Sequence, residues 1–352
     1  MRTLMSRAQR VARGNARAWT SVGLPYSLPL FALAARSLLA ANRAARARGR
    51  EMTPATVSGA ATSDARTGTA WVVLPTFNEA ENIESIAAAI VEVLDVAAPE
   101  AFRVLIVDDD SPDGTGAIAD RLAAEHPSIE VLHRTNREGL GPAYVAGFRR
   151  ALAAGAAYVI EMDADGSHDP RDLVRLLAAV RDGDADLALG SRYVDGGRIS
   201  DWGVVRRATS WGGCWYARVV LGLRLRDVTG GFKCFAAEVL DAIDLGSVRA
   251  RGYAFQVELT HRTVRGGFRV QEIPITFRDR ERGHSKMSWR IAVEAAWLVP
   301  QLRWGRGRPR TVRHDSHGIR RITPVIASPM SGSATGNPRE TTIAEATTAS
   351  ET

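Results

Sequence analysis

Residues Phe102 to Glu125 read FRVLIVDDDSPDGTGAIADRLAAE. The apolar run Phe102–Val107 predicts a short buried strand, and it stops abruptly at Asp108-Asp109-Asp110. Ser111-Pro112-Asp113-Gly114 is turn chemistry, and Asp113–Glu125 has helical spacing. This is one strand–loop–helix unit with its acids at the carboxyl end of the strand. The same unit recurs on either side. Upstream, Trp71–Leu74 reads as a strand and Ala80–Leu94 as a helix. Downstream come strand Ile129–His133, helix Gly141–Ala154, strand Tyr158–Met162, helix Pro170–Arg181 and strand Ala185–Leu189. Short apolar strands alternating with helices predict an α/β fold, a mainly parallel sheet flanked by helices. Further on, Arg206–Leu221 and Ala254–Arg265 read as helices, Arg269–Phe277 as a strand, and Trp289–Leu302 as an amphipathic helix.

In such a sheet, ligands bind at the carboxyl ends of the strands, and the polar motifs of this chain sit there. LPTFNEAENI follows the first strand, VDDDSPDGT the second, DADGSH the fourth and GSRY the fifth. Asp163 and Asp165 are two residues apart, which places both carboxylates on one side if the strand continues. Two such carboxylates raise each other's pKa unless a cation lies between them. Oxygen ligands of this kind suit Mg²⁺ or Mn²⁺ with positions left for phosphate oxygens. Glu161, deeper in the strand, reads as a supporting group. Asp109 suits recognition of a nucleobase: guanine offers its carboxylate two donors and uracil one. Asp113 reads equally well as part of a turn and as the start of a helix.

The chain has only two lysines, Lys233 and Lys286, against a strong arginine bias. Both fall in Gly- or Ser-bearing segments expected to be loops, where a compact ammonium suits a phosphate. Arg278, Arg280, Arg282 and Lys286 make a cationic lid around Gly283. Neither G-x-G-x-x-G nor G-x-x-x-x-G-K-[ST] occurs, and G-x-S-x-G and H-E-x-x-H are also absent. Dinucleotide oxidoreductases, P-loop NTPases, serine hydrolases of that type and zincins are therefore set aside.

The 352 residues carry a net charge of +7, unevenly spread. Residues 1–50 hold ten Arg and no acid, and residues 303–352 hold eight Arg against four acids. The intervening 28 basic and 35 acidic groups leave the middle at −7. Three regions follow: a basic leader expected to be disordered (1–68), a central globular unit (69–302) and a basic and polar tail expected to be disordered (303–352). Basic flanks suit an anionic surface. They lack interleaved aromatics or a binding motif, so no nucleic-acid partner is expected. The uncharged window Ala18–Ala35 is broken by Pro25 and Pro29, which argues against a spanning helix. Cys214 and Cys234 fit neither a disulfide framework nor a zinc site.

VVLPTFNEAENI, LIVDDDSPDGT, NREGLGPAYVAGF, EMDADGSHDP, LGSRYVDGG, TGGFKCF and EIPITFRDRERGHSKMS follow one another along residues 69–290. In this combination the chain resembles the polyprenol (dolichyl) monophosphate mannosyltransferases, family-2 glycosyltransferases of GT-A fold. The resemblance implies inverting transfer of mannose from GDP-mannose to a polyprenyl phosphate in the membrane, with Mg²⁺ or Mn²⁺. The rival within the class is a UDP-glucose-dependent polyprenyl-phosphate glucosyltransferase. The resemblance further implies that Pro75, Phe77 and Glu79 contact the nucleotide, and Val107 and Asp109 its base. Asp163, the Ala164 backbone and Asp165 would hold metal and diphosphate, with Ser167 where some relatives supply a Gln ligand. Arg192, Arg206 and Ser210 would meet the acceptor phosphate, and Arg280 and Lys286 would close over the donor. Asp165, Arg192 and Lys286 are thereby the implied catalytic residues. Phe77 departs from the family's usual Tyr, which keeps the ring and loses the hydroxyl. Some relatives carry spanning helices after the catalytic unit, whereas the tail here is polar. Docking through the Trp289–Leu302 face, on the cytoplasmic side and with a separate membrane-protein partner, is the corresponding expectation.

Overall fold

The computed structural model describes residues 68–97, 101–250, 252, 254–279, 289–304, 312–314 and 320–322. Its centre is a seven-stranded sheet of order β3-β2-β1-β4-β7-β5-β8. The strands are β1 (Ala70–Thr76), β2 (Phe102–Asp108), β3 (Ile129–His133), β4 (Tyr158–Glu161), β5 (Leu187–Ser191), β7 (Lys233–Ala236) and β8 (Val270–Pro274). All run parallel except β7, which is antiparallel to β4 and β5. The carboxyl ends of β1, β2, β4 and β5 therefore share one rim. Because β7 runs the other way, its first residue, Lys233, arrives at that rim in register with Glu161.

The helices are α1 (Ile83–Ala97), α2 (Thr115–Glu125), α3 (Leu140–Ala153), α4 (Asp172–Arg181), α5 (Val204–Leu221), α6 (Ala237–Ala242), α7 (Ala254–Arg265) and α8 (Trp289–Trp304). Helix α1 buries Ile83, Ile86, Ala87, Ile90 and Leu94, a stripe at helical spacing. Helix α3 comes close to the sheet through Gly147. A Cβ there would stand 2.3 Å from Val73 Cγ1 and 3.1 Å from Val107 Cγ2, so only hydrogen fits.

A second apolar cluster joins Cys214, Ala217, Val220 and Leu221 of α5 to Val257 of α7 and Val299 of α8. Cys214 and Cys234 are both buried free thiols.

Three local readings are revised. Arg269–Phe277 is not one strand: after Pro274 the chain leaves the main sheet. Thr276–Phe277 (β9) then pairs with Arg198–Ile199 (β6). The Ile275 N–H reaches back to the Ser191 carbonyl at the crossover. Helix α1 begins at Ile83 rather than Ala80, because Glu79–Asn82 form a turn whose carbonyl at Glu79 accepts from Asn82 and Ile83. Within the segment expected to lack structure, Val312–His314 and Arg320–Ile322 pair as an antiparallel ribbon. The leader, Arg280 and Lys286 lie outside the described residues.

Candidate active site

The rim begins with two sharply turned loops. Asn78 (φ 55°) after β1 and Asp110 (φ 61°) after β2 hold the left-handed conformation that Asn and Asp tolerate best. Cross-links fix the two loops to each other. The Asn78 N–H donates to Ser111 Oγ, the Glu79 N–H to Thr115 Oγ1 at 2.9 Å, and the Ala80 N–H to Asp113 Oδ2 at 3.1 Å. Asp113 also accepts from the Thr115 hydroxyl at 2.6 Å. Burial works to raise its carboxyl, and the hydrogen bonds from Thr115 and Ala80 outweigh it and hold the pKa below the ordinary value. Asp113 is thus a loop-fixing group, as its turn sequence indicated.

Asp109 is almost fully buried, with one oxygen on the Arg134 guanidinium and the other accepting from the Gly139 N–H at 3.2 Å. Glu79 accepts from the Asn82 amide at 2.9 Å. The Phe77 ring carries the Arg137 guanidinium 3.8 Å over its face. Pro75 pairs across the sheet with Val107, whose side chain is fully buried. Val107 as a whole has no exposed surface with which to meet a ligand.

At the end of β4, the three acids that crowd Glu161–Asp165 separate into two kinds. Glu161 points into the core, where the wholly buried Lys233 ammonium donates to it at 2.7 Å and also to Gln256 Oε1. Lys233 is thus not an open phosphate-binding lysine. Burial lowers its pKa, with Glu161 pulling the other way.

Asp163 and Asp165 lie above, in the loop. Asp163 accepts from the Tyr144 hydroxyl at 3.1 Å. Burial, followed by the charges of Asp163, Glu161 and Asp165, raises the Tyr144 phenol well above its usual range. Asp165 accepts from the Ser167 N–H at 3.0 Å and lines a cavity of about 210 Å³ with Asn82, His168 and Arg278. Among the described residues no group of three or more His, Cys, Asp and Glu side chains is arranged to hold a metal ion. Two hard carboxylates fit a cation that shares its coordination with phosphate oxygens and water; they do not make a closed protein cage. The Ser167 backbone braces this loop, donating to Asp165 and accepting from the Arg278 N–H.

The next residue, His168, ties this loop to the other half of the rim. Its Nδ1 accepts the Asp163 N–H at 3.3 Å, and burial pushes its pKa down to about 4. The neutral ring stacks on Phe232 at 4.9 Å and meets Phe277 edge-on at 5.3 Å. Phe277 in turn packs edge-on against Trp202 at 5.3 Å.

Around these rings stand the three residues expected at an acceptor phosphate. Arg192 is buried and gives Nε and Nη2 to Asp227 at 2.7 and 2.9 Å, with Nη2 also reaching Thr229 at 2.8 Å. Arg206 lies 4.3 Å over Trp202 and donates to Asp279 at 2.6 Å. Ser210 accepts from the Tyr193 hydroxyl at 2.8 Å. The three share neighbours, but both arginines already hold a carboxylate. Sequence reasoning missed Asp227, Tyr193, Trp202 and Tyr144, whose partners include residues 17 to 75 positions away along the chain.

Comparison with known proteins accords with this arrangement. Residues 71–243 match the family described as glycosyl transferase family 2. The undecaprenyl-phosphate mannosyltransferase of Micrococcus luteus is 52% identical over 233 residues, covering 66% of this chain and 92% of that one. The polyprenol monophosphomannose synthase of Mycolicibacterium smegmatis is 48% identical over 239 residues, 67% and 87% of the two chains. In fold, the chain is similar to glucosyl-3-phosphoglycerate synthase from Mycobacterium tuberculosis, solved with Mn²⁺, uridine diphosphate and phosphoglyceric acid. There the TM-score is 0.51 at 18% identity, over 74% and 88% of the two chains. With its GT-A sheet and its motifs in place at the rim, the chain belongs to glycosyltransferase family 2, among the polyprenol monophosphate mannosyltransferases.

Proposed function

We propose that the protein transfers mannose, with inversion, from GDP-mannose to a polyprenyl phosphate. The observation that carries this reading is the position of Asp163 and Asp165. They lie at the end of central strand β4, linked through His168, Phe277 and Trp202 to the Arg192–Arg206–Ser210 group. The two relatives above act, by their names, on undecaprenyl phosphate or make polyprenol monophosphomannose.

Donor and acceptor are both anions, and each residue group answers part of that problem. Asp163 and Asp165, with Ser167 beside them, are the groups that would hold Mg²⁺ or Mn²⁺; such an ion offsets charge on a leaving nucleoside diphosphate. Pro75, Phe77, Glu79 and Asp109 form the walls on the nucleotide side, with the buried Val107 beneath them, and Ala164 offers its backbone. Arg280 and Lys286, outside the described residues, are the cations that the family resemblance assigns to the donor diphosphate. On the other side, the acceptor phosphate is ionised near neutral pH and needs no strong general base. Arg192 stays locked on Asp227 and presents its remaining Nη1. Arg206 is the more adaptable cation. Its pair with Asp279 is about one-third exposed, so exchanging that carboxylate for a phosphate costs little.

Helix α5, which carries Arg206 and Ser210, exposes Val204, Val205, Trp211 and Trp215; α8 beside it exposes Trp297 and Trp304. Among the described residues no helix is long and apolar enough to cross a membrane. These two helices form an apolar, arginine-bearing face suited to lie on a bilayer that holds the acceptor. A peripheral position on the cytoplasmic face, with a separate membrane-protein partner, follows from this reading.

Calorimetric titration of the full chain with GDP-mannose and with UDP-glucose, each with Mg²⁺ or Mn²⁺, tests the donor. GDP-mannose is expected to bind the more tightly, and Asp165→Asn to weaken it at least tenfold with an unchanged melting temperature. Tighter binding of UDP-glucose would refute the donor assignment, and unaltered binding by Asp165→Asn the metal role.

A further inference from the structure

A second polar cavity, of about 270 Å³, lies at the far end of α5. It is lined by Leu221, Gly222, Leu223, His261, Val264, Arg265 and Arg303. Leu221 is fifteen residues beyond Arg206 on the same helix, about 22 Å along the axis. The cavity is therefore separate from the acceptor group described above.

Its charge is one-sided. Among the described residues, neither Arg265 nor Arg303 has a carboxylate partner. Arg303 donates to the Leu221 carbonyl at 3.4 Å, an ordinary way to satisfy a helix end. That bond accounts for Arg303 and leaves Arg265 and His261 without a structural task. Arg262, by contrast, is fully engaged by Glu258 and nearby carbonyls, out of the cavity lining.

His261 is only 4% exposed, lines the cavity and, among the described residues, makes no side-chain hydrogen bond. Its ring nitrogens are not among the sealed-off polar atoms of the fold, so they open to the cavity. Burial, followed by the positive charges of Arg265, Arg303 and Arg262, pushes its pKa down to about 4. It is thus a neutral ring with N–H capacity in a positive field, an arrangement that fits an anion.

We infer that His261, Arg265 and Arg303 form a binding site for the phosphate of an acidic membrane lipid headgroup. The surroundings favour a lipid. Trp304, next to Arg303, is 66% exposed, Val264 is also exposed, and Trp297 lies one heptad earlier on α8. Tryptophan beside arginine, with an apolar surface next to it, matches the chemistry of a bilayer interface. The cavity is lined by the end of α5 and by Arg303 of α8, so a headgroup held here would anchor the helix that carries Arg206 and Ser210. This inference rests on the membrane-borne acceptor proposed above.

The test is co-sedimentation of the full chain with phosphatidylcholine vesicles, with and without phosphatidylglycerol. Each basic residue beside an anionic bilayer contributes roughly fivefold to binding. The double variant Arg265→Gln/Arg303→Gln is therefore expected to bind phosphatidylglycerol vesicles about 30-fold less well. Its weaker binding to pure phosphatidylcholine should be unchanged. Its turnover on a short-chain, water-soluble polyprenyl phosphate should match that of the unmodified chain. If the double variant is misfolded by circular dichroism, Arg265→Gln alone, at an exposed position, is expected to show about a fivefold loss.

An undiminished preference for phosphatidylglycerol vesicles would overturn the inference. So would an equal loss on both vesicle types, or inorganic phosphate binding that the variant abolishes while vesicle binding persists. Failure of the unmodified chain to mannosylate the short acceptor would instead count against the catalytic reading. The vesicle comparison would still judge the headgroup site.

Discussion

Asp227→Asn removes one charge and almost no volume from the most heavily hydrogen-bonded carboxylate of the acceptor side. Asp227 is fully buried and accepts from the Arg192 N–H, Nε and Nη2 and from the Thr229 N–H and hydroxyl. Asparagine keeps one acceptor oxygen and turns an NH₂ toward donors. At least one of the two guanidinium bonds is lost, at about 1.5–3 kcal/mol for a bond to a charged group. The remaining cost is a buried guanidinium without its counter-ion. Breaking a buried pair from one side costs about 3–5 kcal/mol in total, and that is the loss of unfolding free energy expected at pH 7.

The pH dependence gives a second readout. Burial works to raise the Asp227 carboxyl, and the Arg192 charge outweighs it and depresses the pKa below 3.8. A depressed carboxylate contributes stability above its unfolded pKa and loses it as pH falls through the folded one. The gap between the unmodified protein and Asp227→Asn should therefore narrow only below about pH 4. Urea unfolding followed by tryptophan fluorescence measures both quantities. In a double-mutant cycle, Arg192→Met/Asp227→Met should cost at least about 2 kcal/mol less than the two single changes added together. A loss under about 1 kcal/mol for Asp227→Asn, or strict additivity in the cycle, would refute the reasoning.

Two further changes test other parts of the structure. Gly147→Ala places a methyl group 2.3 Å from Val73 Cγ1 and should destabilise by about 1–3 kcal/mol through overpacking; a melting temperature unchanged within error would show that α3 has room to move. His261, held near pKa 4 rather than 6.5, should make stability decline by roughly 2 kcal/mol as pH falls from about 6.5 toward 4. The unfolded chain takes up a proton there that the folded one refuses. His261→Gln should flatten that part of the urea-midpoint curve, and an unaltered curve would contradict the assignment.

The elements that carried a local signal were legible in the sequence. Strands β1 to β5 were legible as short strands, and the polar motifs after β1, β2, β4 and β5 marked the rim. What escaped was set by partners distant along the chain. Lys233 looked like a loop lysine because TGGFKCF has glycines and no obvious alternation. Its role appears only when β7 inserts antiparallel between β4 and β5 and brings it to Glu161. Asp227 sits 35 residues from Arg192, and nothing in RDVTGG distinguishes a buried counter-ion from a turn acid. The break at Pro274 was visible as a proline, but the transfer of the chain to β6 depends on where Arg198 and Ile199 lie. Glu161, Asp163 and Asp165, which look alike in sequence, differ by surroundings: the first meets a buried lysine, the second the Tyr144 hydroxyl, and the third lines the cavity.

The most direct test is product formation. The full chain, incubated with polyprenyl phosphate, Mg²⁺ or Mn²⁺ and either labelled GDP-mannose or labelled UDP-glucose, should transfer label to the lipid fraction from GDP-mannose. That product should be a β-linked mannosyl phosphate, the outcome of inversion, and Asp165→Asn should make none. Label entering the lipid from UDP-glucose and not from GDP-mannose would contradict the account.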